Sequence, residues 1–288
     1  MEWEKSLPLS EKIRRKRDGF SLVEMVVILT ILGILMSVAF QGVNSLGEAA
    51  RKAKAISSLK AIANAYRQYM EDTGHPIRWK ELDEIAAGPS GYDATLIAAV
   101  LAKGGYLNAV EAWTWDFDYR VKKYITDGNS LPAKICDIQR DGTGKITSAK
   151  VSANFRGKNG FPISVCAVVA ANTCTNDDFF NNAGEIPIAY SRGLRDGNTT
   201  PGTWADGKIN FDLGGVLGSK GGFIVFLDGH VEWYNNLGTG DKCTLRKYGT
   251  TAMTNKIYEA LPKGGNSIVL TQSLVLSWKG GVLDCGTF

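Results

Sequence analysis

Histidine is almost missing from this chain, with two in 288 residues. A Gly-x-Ser-x-Gly elbow, a phosphate-binding glycine loop and a paired zinc motif are absent as well, so the common hydrolytic, nucleotide-dependent and zinc chemistries lack their residues. No catalytic residue, cofactor or metal ligand is expected. Beyond residue 20 there is no Lys/Arg-rich stripe interleaved with aromatics, and the net charge is only +4, which gives nucleic acid no footprint. No internal repeat is evident. Cysteine does not occur before Cys136, and no proline interrupts residues 20–72. At 44% hydrophobic and 22% charged, the chain suits one fair-sized domain or two small ones with a real core.

The N-terminus holds what the composition does not predict. Residues 1–19 carry six basic and four acidic side chains, and the basic ones crowd into Lys12–Arg17, a bias that keeps this end in the cytoplasm. From Phe20 to Phe40 the chain is apolar enough to enter a bilayer, yet Glu24 lies near the start of that run with no basic neighbour. A carboxylate at a membrane helix centre costs roughly 2.5–3.5 kcal/mol, and less near the interface. Two plain readings compete: a secretory signal cut after Ser37-Val38-Ala39, or a signal anchor with an incidental Glu. Both leave Glu24 unexplained, and the apolar run flows unbroken into a further helical pattern.

In that pattern Ile56, Leu59, Ile62 or Ala63, Tyr66, and Tyr69 or Met70 recur at helical spacing, with polar residues on the other side. Stop signals converge at Thr73-Gly74, with Pro76 beyond. A helix over about Phe20–Asp72 follows, about 80 Å long at about 1.5 Å per residue.

Gly19-Phe20-Ser21-Leu22-Val23-Glu24, a basic leader and the apolar run together resemble the cleavage and methylation signal of type IV pilins and type II secretion pseudopilins. The segment from Lys52 to Ile77 is similar to the helix of major pseudopilins that ends in an Asn-Gly-x-Tyr-Pro-like turn. Gly104–Val121 is similar to their Trp-x-x-x-Tyr segment, and the likeness covers about residues 14–120. Two features depart from it: Gln41 stands where the family often has Pro, and the chain continues far past a minimal pseudopilin. In that extension Phe226–Tyr234 ("FLDGHVEWY") is similar to an Asp-Gly-His-Val segment of some pilin-like secretion proteins.

The resemblance implies cleavage between Gly19 and Phe20 by prepilin peptidase, N-methylation of Phe20, and assembly through Glu24 paired with a neighbour's Phe20 amine. It implies a non-catalytic subunit of a type II secretion pseudopilus or related type IV filament. Other pilin subunits, an inner-membrane assembly platform and membrane lipid are its partners, and the C-terminal part is extracytoplasmic. The alternative is a membrane-tethered extracytoplasmic binding domain that never enters a filament.

The expected fold is α+β: a long N-terminal helix, membrane-spanning then amphipathic, on an antiparallel β-rich domain. The expected division is a leader at 1–19, an assembly helix at 20–40, an amphipathic helix at 41–73 and a globular domain at 74–288. "DATLIAAVLAKGGYL" (Asp93–Leu107) reads as a further helix, and the runs after Val165 and Asn266 read as strands. Asp228-Gly229 suggests a two-residue type I′ turn pairing Phe226 with Val231 and Ile224 with Trp233. That hairpin takes Asp228 out of an otherwise metal-like alternation with His230 and Glu232. Asp137 and Asp141 faintly echo a calcium loop but lack its later ligands, so a turn is expected. His75 belongs to the post-helical turn.

Five cysteines allow two bridges in fifteen ways. Cys166–Cys174 closes a short hairpin-like stretch. Cys243–Cys285 ties down the C-terminal tail as pilins often do, with Cys136 spare. The alternative is that all are buried thiols.

Overall fold

A computed structural model describes residues 21–85, 94–152, 155, 162–195, 202–204, 215–262 and 268–270. The chain divides into two compact units, residues 1–50 and 51–288. Helix α1 (Leu22–Thr73) runs through the boundary.

Within the first unit the described α1 side chains are those of residues 22–37 and 46–50, and all but Glu48 are exposed. Among the described residues no helix is long and apolar enough to cross a membrane. The membrane-spanning character expected for Phe20–Phe40 is not supported by the described residues.

In the second unit α1 becomes amphipathic. Ala55, Leu59, Ile62, Ala63, Tyr66 and Met70 are buried at i, i+3 and i+4 spacing, while Lys60, Asn64 and Gln68 stay exposed. The helix stops where its sequence says it should. Gly74 takes a left-handed conformation (φ 75°), its N–H donates to the Met70 carbonyl at 3.0 Å, and Pro76 follows. Short helices α2 (Trp79–Asp83) and α3 (Ala94–Lys103) come next, and nine of the ten α3 residues are buried. Helix α4 (Tyr119–Thr126) is capped by Asp118, which accepts from the Arg120 N–H.

The β part begins with the hairpin β1 (Cys136–Arg140) and β2 (Ile146–Val151). A five-stranded antiparallel sheet follows. Its strands are β3 (Val165–Val169), β4 (Pro187–Ser191), β7 (Gly222–Phe226), β8 (Val231–Tyr234) and β11 (Ile268–Leu270), in the spatial order β11-β3-β4-β7-β8. Helix α5 (Asn176–Phe180) joins β3 to β4. Minor pairs are β5 (Leu194–Arg195) with β6 (Thr203–Trp204), and β9 (Leu245–Arg246) with β10 (Met253–Thr254).

Strands β3, β4 and β7 are buried along their whole length, as their unbroken apolar runs require of strands covered on both faces. One face joins α1 and α3 in the main core. The other carries a second core in which Cys166, Tyr190, Ile224 and Phe226 meet Trp204, Leu237, Leu245 and Ile257. Residues between Trp204 and Ala260 thus supply the cover of that second face. The architecture is α+β, a long N-terminal helix with an antiparallel sheet domain.

Candidate assembly site

Gly19 and Phe20 lie outside the described residues; the site is seen from Ser21 onward. Glu24 does not project alone. Ser21 occupies the residue before α1, and Glu24 is the third residue of the helix. The Glu24 N–H donates to Ser21 Oγ at 3.2 Å, and the Ser21 backbone N–H donates to Glu24 Oε2 at 3.3 Å. That reciprocal pair is a capping box, satisfying two of the four amides a helix start leaves unpaired. The Ser21 hydroxyl also lies 3.4 Å from the same carboxylate oxygen.

The other polar groups of this segment follow suit. Thr30 Oγ1 donates to the Val27 carbonyl and Ser37 Oγ to the Ile34 carbonyl, each at 2.8 Å. Every polar side chain between Ser21 and Ser37 is thus bonded within its own helix, which lowers the penalty of taking it out of water. Around them Leu22, Val23, Leu29, Ile34, Leu35 and Met36 are exposed, each by more than half. A helix start with its polar groups internally paired and its apolar groups unburied is built to be covered by something apolar. The part of Ser21 was legible in the sequence as Ser-x-x-Glu ahead of an apolar run, although attention to Glu24 passes over it.

In the 51–288 unit the Asp-Gly hairpin differs from its expected register. The pairs are Val225 with Val231, Ile224 with Glu232 and Phe223 with Trp233. Gly229 N–H donates to the Phe226 carbonyl at 2.9 Å and Phe226 N–H to the His230 carbonyl at 3.0 Å, so the loop holds three residues, 227–229. Gly229 sits at φ 92°, the left-handed position of a type I turn with a G1 bulge. The extra residue moves β8 by one place and turns all its side chains over. Val231 and Trp233 thereby reach the main core, where Trp233 meets Phe223 edge to face at 4.8 Å and Lys52 of α1 lies over its ring at 4.7 Å.

On the opposite face, Asp228, His230 and Glu232 come together although Asp228 is in the turn. Asp228 Oδ1 accepts the His230 backbone N–H at 3.0 Å and lies 2.5 Å from His230 Nδ1. The imidazole stacks on Phe226, with centroids 4.3 Å apart and planes 6° from parallel. Its Nε2 is 3.8 Å from Glu232 Oε1, while Glu232 Oε2 accepts the Tyr234 hydroxyl. Burial pushes the Tyr234 phenol well above its usual range, so it remains a donor. Among the described residues no group of three or more His, Cys, Asp or Glu is placed to hold a metal.

Of the two expected bridges, Cys166–Cys174 is not formed. Cys136, Cys166, Cys174 and Cys243 are all thiols, and Cys285 lies outside the described residues. Cys166 points into the second core and Cys174 into the main one, on opposite sides of the sheet, so their sulfurs do not face each other. Burial pushes the Cys166 thiol up to about 12 and Cys136 to about 11, both poor thiolates. Asp141 serves a turn: its Oδ1 accepts from Thr143 N, Thr143 Oγ1 and Lys145 N within 3.0 Å, and the Thr143 hydroxyl holds its carboxyl below the usual range. His75 is in the turn after α1, its Nδ1 3.0 Å from the Pro76 carbonyl.

One buried constellation had no local sequence signal. Arg192 Nη2 donates to both Asp118 oxygens, at 2.7 and 2.9 Å, with side-chain exposures of 5% and 1%. Ser164 Oγ donates to Asp118 at 2.7 Å, and Arg192 Nε donates to the Ile163 carbonyl at 3.1 Å. A fully satisfied ion pair at this depth braces the cap of α4 against the end of β4; it is structural.

Residues 14–40 match the family described as the prokaryotic N-terminal methylation motif. Over 105 residues the chain is 32% identical to the type II secretion system core protein G of Escherichia coli K12, covering 36% of this chain and 70% of that protein. The core protein G of Vibrio cholerae is 27% identical over 143 residues, 49% of this chain and 93% of its own length. That of Pseudomonas aeruginosa is 28% identical over 130 residues, with coverages of 45% and 87%. No solved structure matches the chain.

Proposed function

Because the chain belongs to the family of the type II secretion system core protein G, we propose that it works as a non-catalytic, pilin-like subunit of a secretion pseudopilus. The observation that carries this reading is the Ser21–Glu24 box at the head of an exposed apolar helix, within the matched methylation motif. In this reading prepilin peptidase cuts between Gly19 and Phe20, and Phe20 is N-methylated. Phe20–Phe40 holds the subunit in the inner membrane, with the 51–288 unit outside the cytoplasm. Other pseudopilin subunits and the inner-membrane assembly platform are its partners.

Glu24 then has two successive partners. In the single subunit it caps its own helix. When subunits pack, its carboxylate meets the Phe20 amine of a neighbour, a pair whose attraction at low dielectric is largely offset by desolvation, so it fixes register more than it adds stability. Burial of the Val, Ile, Leu and Met side chains of residues 22–40 supplies the adhesion.

Two measurements test the reading. Mass-spectrometric sequencing of the membrane form should find Phe20, methylated, as the first residue; a soluble product starting at Phe40 would overturn it. Glu24→Leu should be cleaved and membrane-retained, since the cleavage residues are intact and roughly 2–3 kcal/mol of insertion cost disappears, but should yield no sheared filament. Should the wild-type chain be processed yet never co-purify with a filament, a tethered binding domain takes its place.

A further inference from the structure

We propose that His230 and Glu232, at the open edge of the five-stranded sheet, form a two-donor chelate for a borderline divalent transition metal such as zinc, with Asp228 and Tyr234 holding the donors in place. The inference stands apart from the assembly reading, because none of these residues belongs to the apolar helix.

Among the described residues each donor has one atom committed and one without a hydrogen bond. His230 Nδ1 is fixed by Asp228 Oδ1 at 2.5 Å, and Glu232 Oε2 accepts the Tyr234 hydroxyl. The two remaining atoms, His230 Nε2 and Glu232 Oε1, face one another at 3.8 Å, too far for a hydrogen bond. In the tautomer that gives Nδ1–H to Asp228, Nε2 presents a lone pair toward a carboxylate oxygen, and a metal cation between the two would satisfy both. Donors about 2.1 Å from a tetrahedral ion stand about 3.4 Å apart, so a few tenths of an ångström of side-chain movement admits one. A carboxylate on the far nitrogen of a ligating histidine is the usual outer partner, setting tautomer and ring angle. Here Phe226 adds a stacking wall at 4.3 Å that limits ring rotation.

Imidazole with one carboxylate suits zinc, copper or nickel far better than calcium or magnesium, which prefer all-oxygen sets. His230 and Glu232 have side-chain exposures of 37% and 53%, so the ion is reachable and water can complete its coordination. Neither main-core packing nor the turn requires this pairing: Val231 and Trp233 serve the core, and the Asp228 bond to the His230 N–H already closes the loop.

The test is a zinc chloride titration of the full chain in detergent micelles, followed through the histidine ring nitrogens by NMR, with calcium chloride in parallel. Only two histidines are present, and His75 serves as internal reference. Zinc should move the His230 Nε2 resonance and leave His75 in place, and calcium should move neither. His230→Gln should abolish the response with an unchanged circular dichroism spectrum. Asp228→Asn should weaken binding by about 10–100-fold, the usual effect of losing an outer carboxylate, and Glu232→Gln should weaken it as well. If the His230 ring responds to protons but not to zinc, or if His230→Gln binds zinc as tightly as the wild type, the proposal fails.

Discussion

A carboxylate in an apolar helix is tolerable when its surroundings already satisfy it, and Ser21 does this for Glu24. Both bonds of the box pass through one hydroxymethyl group or its own backbone amide, so Ser21→Ala removes the hydroxyl acceptor while leaving Glu24 in the chain. The expected loss is about 0.5–2 kcal/mol of helix-start stability. Amide exchange in micelles should show Val23 and Glu24 losing protection in Ser21→Ala and keeping it in Ser21→Thr; equal protection in all three forms would refute a capping role. Arg192 offers the opposite case, a charge whose removal strands its partner. Arg192→Met leaves Asp118 buried at 1% exposure without its guanidinium partner, beside Ser164 and a backbone amide, and should cost about 3–5 kcal/mol in chemical denaturation. The double variant Arg192→Met/Asp118→Leu should recover a large part of that loss. If it recovers nothing, the pair is not coupled as its geometry implies.

At the level of elements, what the sequence disclosed was what is local. The α1 stripe, its stop at Gly74 and the apolar runs of β3 and β7 follow from spacing and from glycine's freedom at positive φ. The hairpin register did not follow, because Asp-Gly is compatible with loops of two or three residues. The choice falls to a tertiary fact, that Trp233 must face Phe223 and Lys52. Cys166 and Cys174 looked like bridge partners because eight residues can turn back on themselves. Strand alternation sends one sulfur through the sheet into the second core. The Asp118 network joins residues 46 and 74 positions apart and leaves no local trace. Gly229 tests the three-residue loop directly. Its φ of 92° is one that a Cβ opposes, so Gly229→Ala should lose roughly 1–2 kcal/mol, with Gly229→Asn less affected. A two-state melt in which Gly229→Ala matched the wild type would argue for a different turn.

Within the whole 51–288 unit, the long C-terminal extension has a physical task before it needs any other. A sheet with α1 and α3 on one face exposes its other face unless something covers it, and Tyr190, Ile224 and Phe226 on that face are apolar enough to demand cover. Trp204 is the centrepiece of the cover. It is 2% exposed, its indole N–H donates to the Ser191 carbonyl at 3.0 Å, and its ring lies so close over Gly222 that a Cβ there would collide with it. Trp204→Ala should therefore open a cavity and unpair a carbonyl at once, for about 3–5 kcal/mol. In a chain of this size each kcal/mol lowers the melting temperature by roughly 2–4 °C. In the proposed reading, cleavage between Gly19 and Phe20 should be unchanged, because no described signal residue belongs to that core. A loss of stability together with normal N-terminal processing is the expected pair of results, measured by thermal denaturation and by N-terminal mass spectrometry of the same preparation. If Trp204→Ala melts with the wild type, the extension is not holding the sheet's second face, and the reason for its length has to be sought in what it binds.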